Sequence, residues 1–191
     1  MEFQEHQIGE MPATGKILIA NPFLKDPHFM RSVVFLCQHE KEGSFGFIFN
    51  KLYSQTLDDL ISETQVKNLP VYFGGPVQMD TIHFIHTAPD LIEGGLKILP
   101  EIYWGGDFSR AMELLEMGLI DSGRIKFFIG YSGWESGQLE GELKEHSWIV
   151  SSASSDLLFD QGEAGIWKAS LRSMGEEFAA MANFPVDPSL N

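Results

Sequence analysis

The sequence predicts an α+β fold built on a curved, largely antiparallel sheet. Short apolar runs rich in β-branched and aromatic residues crowd the first half of the chain: KILIA (16–20), SVVFLCQH (32–39), FGFIFN (45–50) and VYF (71–73). Turn-forming stretches NPFLKDP, EKEGS and KNLP bound them, as strands require. Strands do not alternate regularly with helices long enough to cross over a sheet, which disfavours a doubly wound parallel architecture.

TIHFIHT (81–87), GLKIL (95–99) and RIKFFIG (124–130) complete the predicted strands. Thr56 followed by Asp59 reads as the capping start of a helix LDDLIS, with Asp58 and Asp59 in the first turn where they complement the helix dipole. Asp107 caps FSRAMELLEM, whose Met112, Leu115 and Leu119 share one face and whose run stops at Gly118. Asp160 with Glu163 opens a helix in which Ala164, Trp167, Leu171 and Met174 recur at helical spacing, and Gly175 ends it. The tail NFPVDPSLN, with two prolines, is expected to be irregular.

A chain of 191 residues without repeats or linkers reads as one domain over 1–191, large enough to bury roughly 70% of its unfolded surface. The single cysteine, Cys37, excludes an internal disulfide and any multi-cysteine metal site. No stretch approaches the roughly 20 apolar residues of a membrane span, and no apolar run follows a basic start. A soluble, cytoplasmic protein is expected. The net charge is −14, from 27 acids against 13 scattered bases, and the segment 135–163 carries seven acids and one lysine. Such a field repels nucleic acid, whose binding depends on clustered lysines and arginines.

Several motifs approach chemistry and stop short. Gly9 to Gly15-Lys16 resembles a phosphate-binding loop, but the glycine spacing is wrong, Ile17 replaces the magnesium-holding hydroxyl and a strand is expected to follow. Gly74-Gly75-Pro76 could let a ligand or another backbone approach closely, although Pro76 lacks an N–H for an anion cradle. His83 and His86, three apart on a strand, point to opposite faces and read as separate satisfied histidines rather than metal ligands. Cys37 and His39 fall on one strand face, yet a lone cysteine within VVFLC reads as a small buried hydrophobe.

The richest tract is GYSGWESGQLEGEL (130–143). It has the outline of a nucleophile elbow, but Trp134 stands where that turn needs glycine. Ser132 with Glu135 instead spells a capping box, making Ser132 an N-cap at a strand-to-helix corner. In the helix expected next, Gly137 and Gly141 fall on one face, each costing roughly 1 kcal/mol relative to alanine. Close approach of another element or a ligand is the expected compensation, with Trp134 and Gln138 bordering the stripe. Glu135, Glu140 and Glu142 spread around that helix as a solvated face.

Together KILIANPFLKDPHFMRSVVFLCQHEKEGSFGFIFNK (16–51), GGPV (74–77), IHFIHT (82–87), the 130–143 tract and Trp148 resemble, in the same order, the YqgE/AlgH family of bacterial proteins over about residues 15–175. The resemblance implies a bent, bifurcated sheet closing into a pseudo-barrel with helices packed around it, and a cytosolic location. It brings a transcriptional-regulator label, but no established catalytic residue or cofactor. Ser132 stands where relatives commonly have alanine, which weakens a nucleophile role, and Leu52 stands where many have proline.

The resulting expectation is a non-catalytic binding or regulatory protein, acting through a protein partner or small ligand. Its candidate surface comprises Asn21, Asp26, Asn50, Gly74, Gly75, Pro76, Trp134, Gly137, Gln138 and Gly141. The competing readings are that these motifs only specify turns and close packing, direct DNA contact by a transcriptional regulator, and a hydrolase using Ser132 or Cys37. No catalytic residue, metal or cofactor is assigned.

Overall fold

The computed structural model describes residues 9–185. Among the described residues ten strands form one branched sheet: β1 (Lys16–Ala20), β2 (Val33–Glu40), β3 (Gly43–Ile48), β4 (Leu52–Thr56), β5 (Pro70–Phe73), β6 (Val77–His86), β7 (Leu96–Leu99), β8 (Ile102–Trp104), β9 (Ile125–Glu135) and β10 (Trp148–Ser152). Their order is β10-β1-β2-β3-β9-β6-β8-β7, with β5 beside β9 and β4 beside β5. Every pairing is antiparallel except that of β5 with β9. The sheet is strongly curled into a half-barrel, in accord with the α+β expectation.

The sheet forks along β9. Its end, Ser132–Glu135, pairs with Gly43–Gly46 of β3, while Phe127–Ile129 pair on the same edge with Val71–Phe73 of β5. Gly74 sits where the branches part: its N–H donates to Ile129 O (2.8 Å), and its carbonyl accepts from Ile48 N (2.9 Å) and Ser132 Oγ (3.0 Å). Glycine is required here because two backbones meet without room for side chains. A Cβ on Gly75 would lie 2.2 Å from the Tyr131 carbonyl carbon, and one on Gly130, at φ 64°, would lie 2.4 Å from Gly75 O.

Both faces of the sheet are covered, which is why its strands read as unbroken apolar runs rather than alternating ones. Ile17 and Ile19 of β1 join Phe35, Phe47, Phe49 and Phe128 in one core, closed by Trp167 and Leu171 of α4 (Glu163–Ser173). Leu18, Ala20, Val34 and Leu36 face the other way, against Leu139 and Leu143 of α3 (Gln138–Lys144) and Trp134 and Trp148. A further core sets Ile125, Phe127 and Ile129 against Ala111 and Leu114 of α2 (Phe108–Glu116) and Leu57 of α1 (Leu57–Leu60). Each fully buried side chain of this size contributes about 1.5–3 kcal/mol.

The caps of α1 and α2 stand where the sequence puts them. Thr56 N donates to Asp59 Oδ2 (2.9 Å), and Asp107 Oδ1 accepts from Arg110 N (2.9 Å). Gly118, at φ 65°, follows the end of α2, but Leu119 is 56% exposed and Leu114 takes its place in the core. Gly175 does end α4, although Gly162 rather than Asp160 precedes that helix, and Ala164 is exposed. Asp160 instead closes a one-turn π-helix, Asp156–Asp160. A short α5 (Glu176–Met181) then precedes the tail, whose residues 186–191 lie outside the described residues, as do 1–8 of the N-terminal arm. Lys16 opens β1 and pairs with Glu10 and Ser152 Oγ, so it is a strand residue and not part of a phosphate loop. Among the described residues no helix is long and apolar enough to cross a membrane.

The expected corner at Ser132 is corrected. β9 continues through it to Glu135, Ser132 is fully buried opposite Gly46, and its hydroxyl is committed to Gly74 O. The turn is made five residues later by Gly137 at φ 77°, while Glu135 N donates to Gln138 Oε1 (3.0 Å). No other element makes the close approach expected at Gly137 and Gly141: a Cβ at either meets no protein atom of the described residues within 4 Å. The intimate glycines are Gly74, Gly75 and Gly130 at the fork.

Candidate functional site

The fork and the curl leave a cleft of about 820 Å³ between β3, β6, β8 and β9. β6 slips in register between Val77 and Ile82, with Gln78 at φ 48°, so it bends away from β9 beside this space. Phe45, Phe47, His83, Trp104 and Tyr131 form the walls. Phe45 lies edge-on to Trp104 (4.8 Å between centroids) and to Tyr131 (6.1 Å), and the His83 ring is 5.2 Å from Phe47, 6.2 Å from Trp104 and 6.1 Å from Tyr131. Such edge-to-face contacts hold aromatic rings in fixed orientations.

Polar groups sit at its margin. Glu42, Glu135, Gln38, Gln78 and Gln138 line the cleft, and among the described residues no lysine or arginine does. The His83 ring is held by a short chain: Thr81 Oγ1 donates to Gln78 O (2.7 Å), so its lone pair receives the Nε2–H of His83 (3.1 Å). That leaves Nδ1 as an acceptor, and burial pushes the imidazole pKa down, favouring the neutral ring. The site is therefore a π-rich wall with an imidazole acceptor and two rim carboxylates, a surface complementary to positive charge.

The candidate residues divide between this cleft and turns. Gln138 lies on the rim. Trp134 also borders the cleft, but its indole is only 6% exposed and packs at 6.0 Å from Trp148; both indole N–H groups donate to Glu142 Oε2, at 2.9 and 2.7 Å. Gln138 Nε2 adds a bond to Glu142 Oε1 (3.1 Å), so Glu142 belongs to a network rather than to a solvated face. Asn21 Oδ1 accepts from Phe23 N, Asp26 Oδ1 from His28 N, and Asn50 clamps Val33 N and Arg31 O. These three hold turns. Gly74 and Gly75 are buried in the fork, Pro76 is exposed beside it, and Gly137 and Gly141 are exposed on α3, the former at its start.

The nucleophile candidates have no accessible reactive atom. Ser132 Oγ is buried as described, and burial raises the Cys37 thiol well above its ordinary pKa. A bulge between Leu36 and Gln38 parts Cys37 from His39, whose Nδ1 bonds Ser44 Oγ instead (2.7 Å). His86 is buried on the strand face opposite His83, with Nε2 on Gly105 O (3.0 Å) and Nδ1 accepting from Ala88 N (3.2 Å). Sequence reasoning missed Phe45, Trp104 and Tyr131 as site residues. Their joint signal was absent because Trp104 belongs to a three-residue strand that only the β6 pairing brings alongside.

An α+β protein with a curled sheet, forked at one strand and carrying an aromatic cleft at the fork, is the class these features define. The family model described as AlgH-like matches residues 17–179, and the chain belongs to that family. A UPF0301 protein of Chlorobaculum tepidum is 41% identical over 182 residues, covering 95% of this chain and 97% of the relative. One from Bacteroides fragilis is 42% identical over 182 residues, with 95% and 92% covered. Among solved structures, a Corynebacterium diphtheriae protein superposes with a TM-score of 0.77 at 20% identity, covering 92% of this chain and 94% of that one. The AlgH protein of Pseudomonas aeruginosa does so with a TM-score of 0.71 at 24% identity, with 90% and 94% covered; both likenesses bear on the fold.

Proposed function

We propose that the protein is a non-catalytic binding protein whose site is the aromatic cleft, and that its ligand is an arginine-bearing segment of a partner protein. The observation that carries this reading is the composition of the cleft: five rings on its walls, two carboxylates at the rim and no lysine or arginine among the described lining residues. A guanidinium is planar, stacks on aromatic faces and donates in several directions, so it fits Trp104 and Tyr131 for stacking and His83 Nδ1 and the rim acids as acceptors. The same acids disfavour a phosphate backbone, which counts against direct DNA contact through this face. A cytoplasmic protein, as expected from the sequence, would meet such a partner there.

Isothermal titration calorimetry with short peptides carrying arginine, lysine or glutamate at one position tests it. The arginine peptide should bind tightest, weaken with salt, and lose roughly 5- to 30-fold in affinity on Trp104→Ala, the loss expected of an aromatic anchor. Equal binding of the glutamate peptide, or no effect of Trp104→Ala, would remove the proposal.

A further inference from the structure

We propose that Lys126 is a carbonyl-reactive amine, and that the small cavity beside it takes an aldehyde or ketone, captured by Nζ as an imine. Lys126 lies on β9, is 8% exposed, and looks into a separate cavity of about 340 Å³ lined also by Tyr72, Ser122, Phe159, Asp160 and Glu163. Among the described residues it makes no ion pair. Among the described residues its Nζ makes one hydrogen bond, a long one of 3.4 Å to Tyr72 Oη, and sits over the Tyr72 ring (4.5 Å) and within 5.8 Å of the Phe49 ring centroid. Such a group has donors to spare in a space where water is restricted. Burial favours the amine over the ammonium and lowers its pKa, against the opposing pulls of Glu163 and of the Tyr72 and Phe49 ring faces.

The neighbours supply what imine formation needs. Tyr72 Oη donates to Glu163 Oε1 (2.7 Å), so a lone pair of the phenol is turned to Lys126 and a Lys126–Tyr72–Glu163 chain is formed. Burial and Glu163 raise the Tyr72 pKa, keeping the phenol protonated. In the proposed step the Nζ lone pair attacks the carbonyl carbon and the C–N bond forms as the C=O π pair moves to oxygen. Both Nζ protons then pass to that oxygen by way of Tyr72 and Glu163 and leave with it as water, so the imine forms without oxidant or reductant. The ligand is neutral rather than anionic, because Asp160 and Glu163 outnumber Lys126 around the cavity. Its size is a few carbons, the cavity lying at the small end of ligand sites.

Treatment of the full-length protein with propanal and sodium cyanoborohydride near neutral pH, followed by peptide mapping, reads this out. Lys126 should be alkylated about tenfold or more ahead of the exposed lysines, as an amine served by a positioned proton relay would be. Tyr72→Phe should slow alkylation of Lys126 by about tenfold or more, as loss of a proton relay does, without slowing the other lysines. Glu163→Gln gives the same readout should Tyr72→Phe not fold. A Lys126 that is unmodified, or no faster than the exposed lysines in the wild type, overturns the proposal; an undiminished rate in a folded relay variant overturns the assisted step.

Discussion

Removing the Glu142 carboxylate should destabilise the protein although the residue is half-exposed on a short helix. In Glu142→Ala the indole N–H groups of Trp134 and Trp148, whose side chains are 6% and 2% exposed, lose their shared acceptor. Each orphaned buried donor costs about 1–3 kcal/mol. Water reaching the vacated site from the open side offsets part of this, so a net loss of about 2–4 kcal/mol is expected. Glu142→Gln keeps an acceptor for the indoles and removes the charge assistance and the bond from the exposed Gln138 Nε2, so its cost should be about 1 kcal/mol. Urea unfolding followed by tryptophan fluorescence measures both, with the effect appearing in the midpoint at unchanged slope. An alanine variant within about 0.5 kcal/mol of wild type, the range of ordinary surface substitutions, would refute the reasoning. So would a glutamine variant as damaged as alanine.

Other expectations follow from the glycines and the histidines. Gly141 is interior to α3 with open space around its missing Cβ, so Gly141→Ala should raise stability by roughly 0.5–1 kcal/mol in the same unfolding assay. Gly130→Ala, by contrast, adds a Cβ 2.4 Å from Gly75 O at φ 64° and should cost several-fold more than the alanine gain at 141. His83 and His86 both have pKa values lowered chiefly by burial, so the unfolded chain binds more protons than the folded one below the ordinary value of about 6.5. Stability should therefore be full above that pH and decline as pH falls through it, before the carboxylates titrate. His86→Gln should flatten this decline in urea midpoints taken across that window, and an unchanged slope would show that His86 is not a source of it.

Much of the fold was legible because its strands are buried on both faces. KILIA and VVFLC stand out as continuous apolar runs for that reason, and the caps at Thr56 and Asp107 are local hydrogen-bond patterns that a sequence displays directly. Three strands escaped notice. β4 and β8 are half-exposed segments given strand form by their partners, and β10 is an edge defined by its pairing with β1. Ser132 and Glu135 satisfy a capping pattern in sequence, but the β3 pairing offers the same backbone a ladder and the capping alternative loses.

What the sequence by itself determined was the α+β class and the family, since apolar periodicity and turn chemistry are carried by neighbours along the chain. Only the tertiary structure decided what the 130–143 tract touches. Gly130 meets Gly75 across the fork, Glu142 turns inward to two indoles, and Tyr131 joins Phe45, His83 and Trp104 in one cleft. Each of those contacts joins residues from separate strands or helices. Close packing fixes them through shape and hydrogen-bond satisfaction, neither of which is defined until the strands have paired.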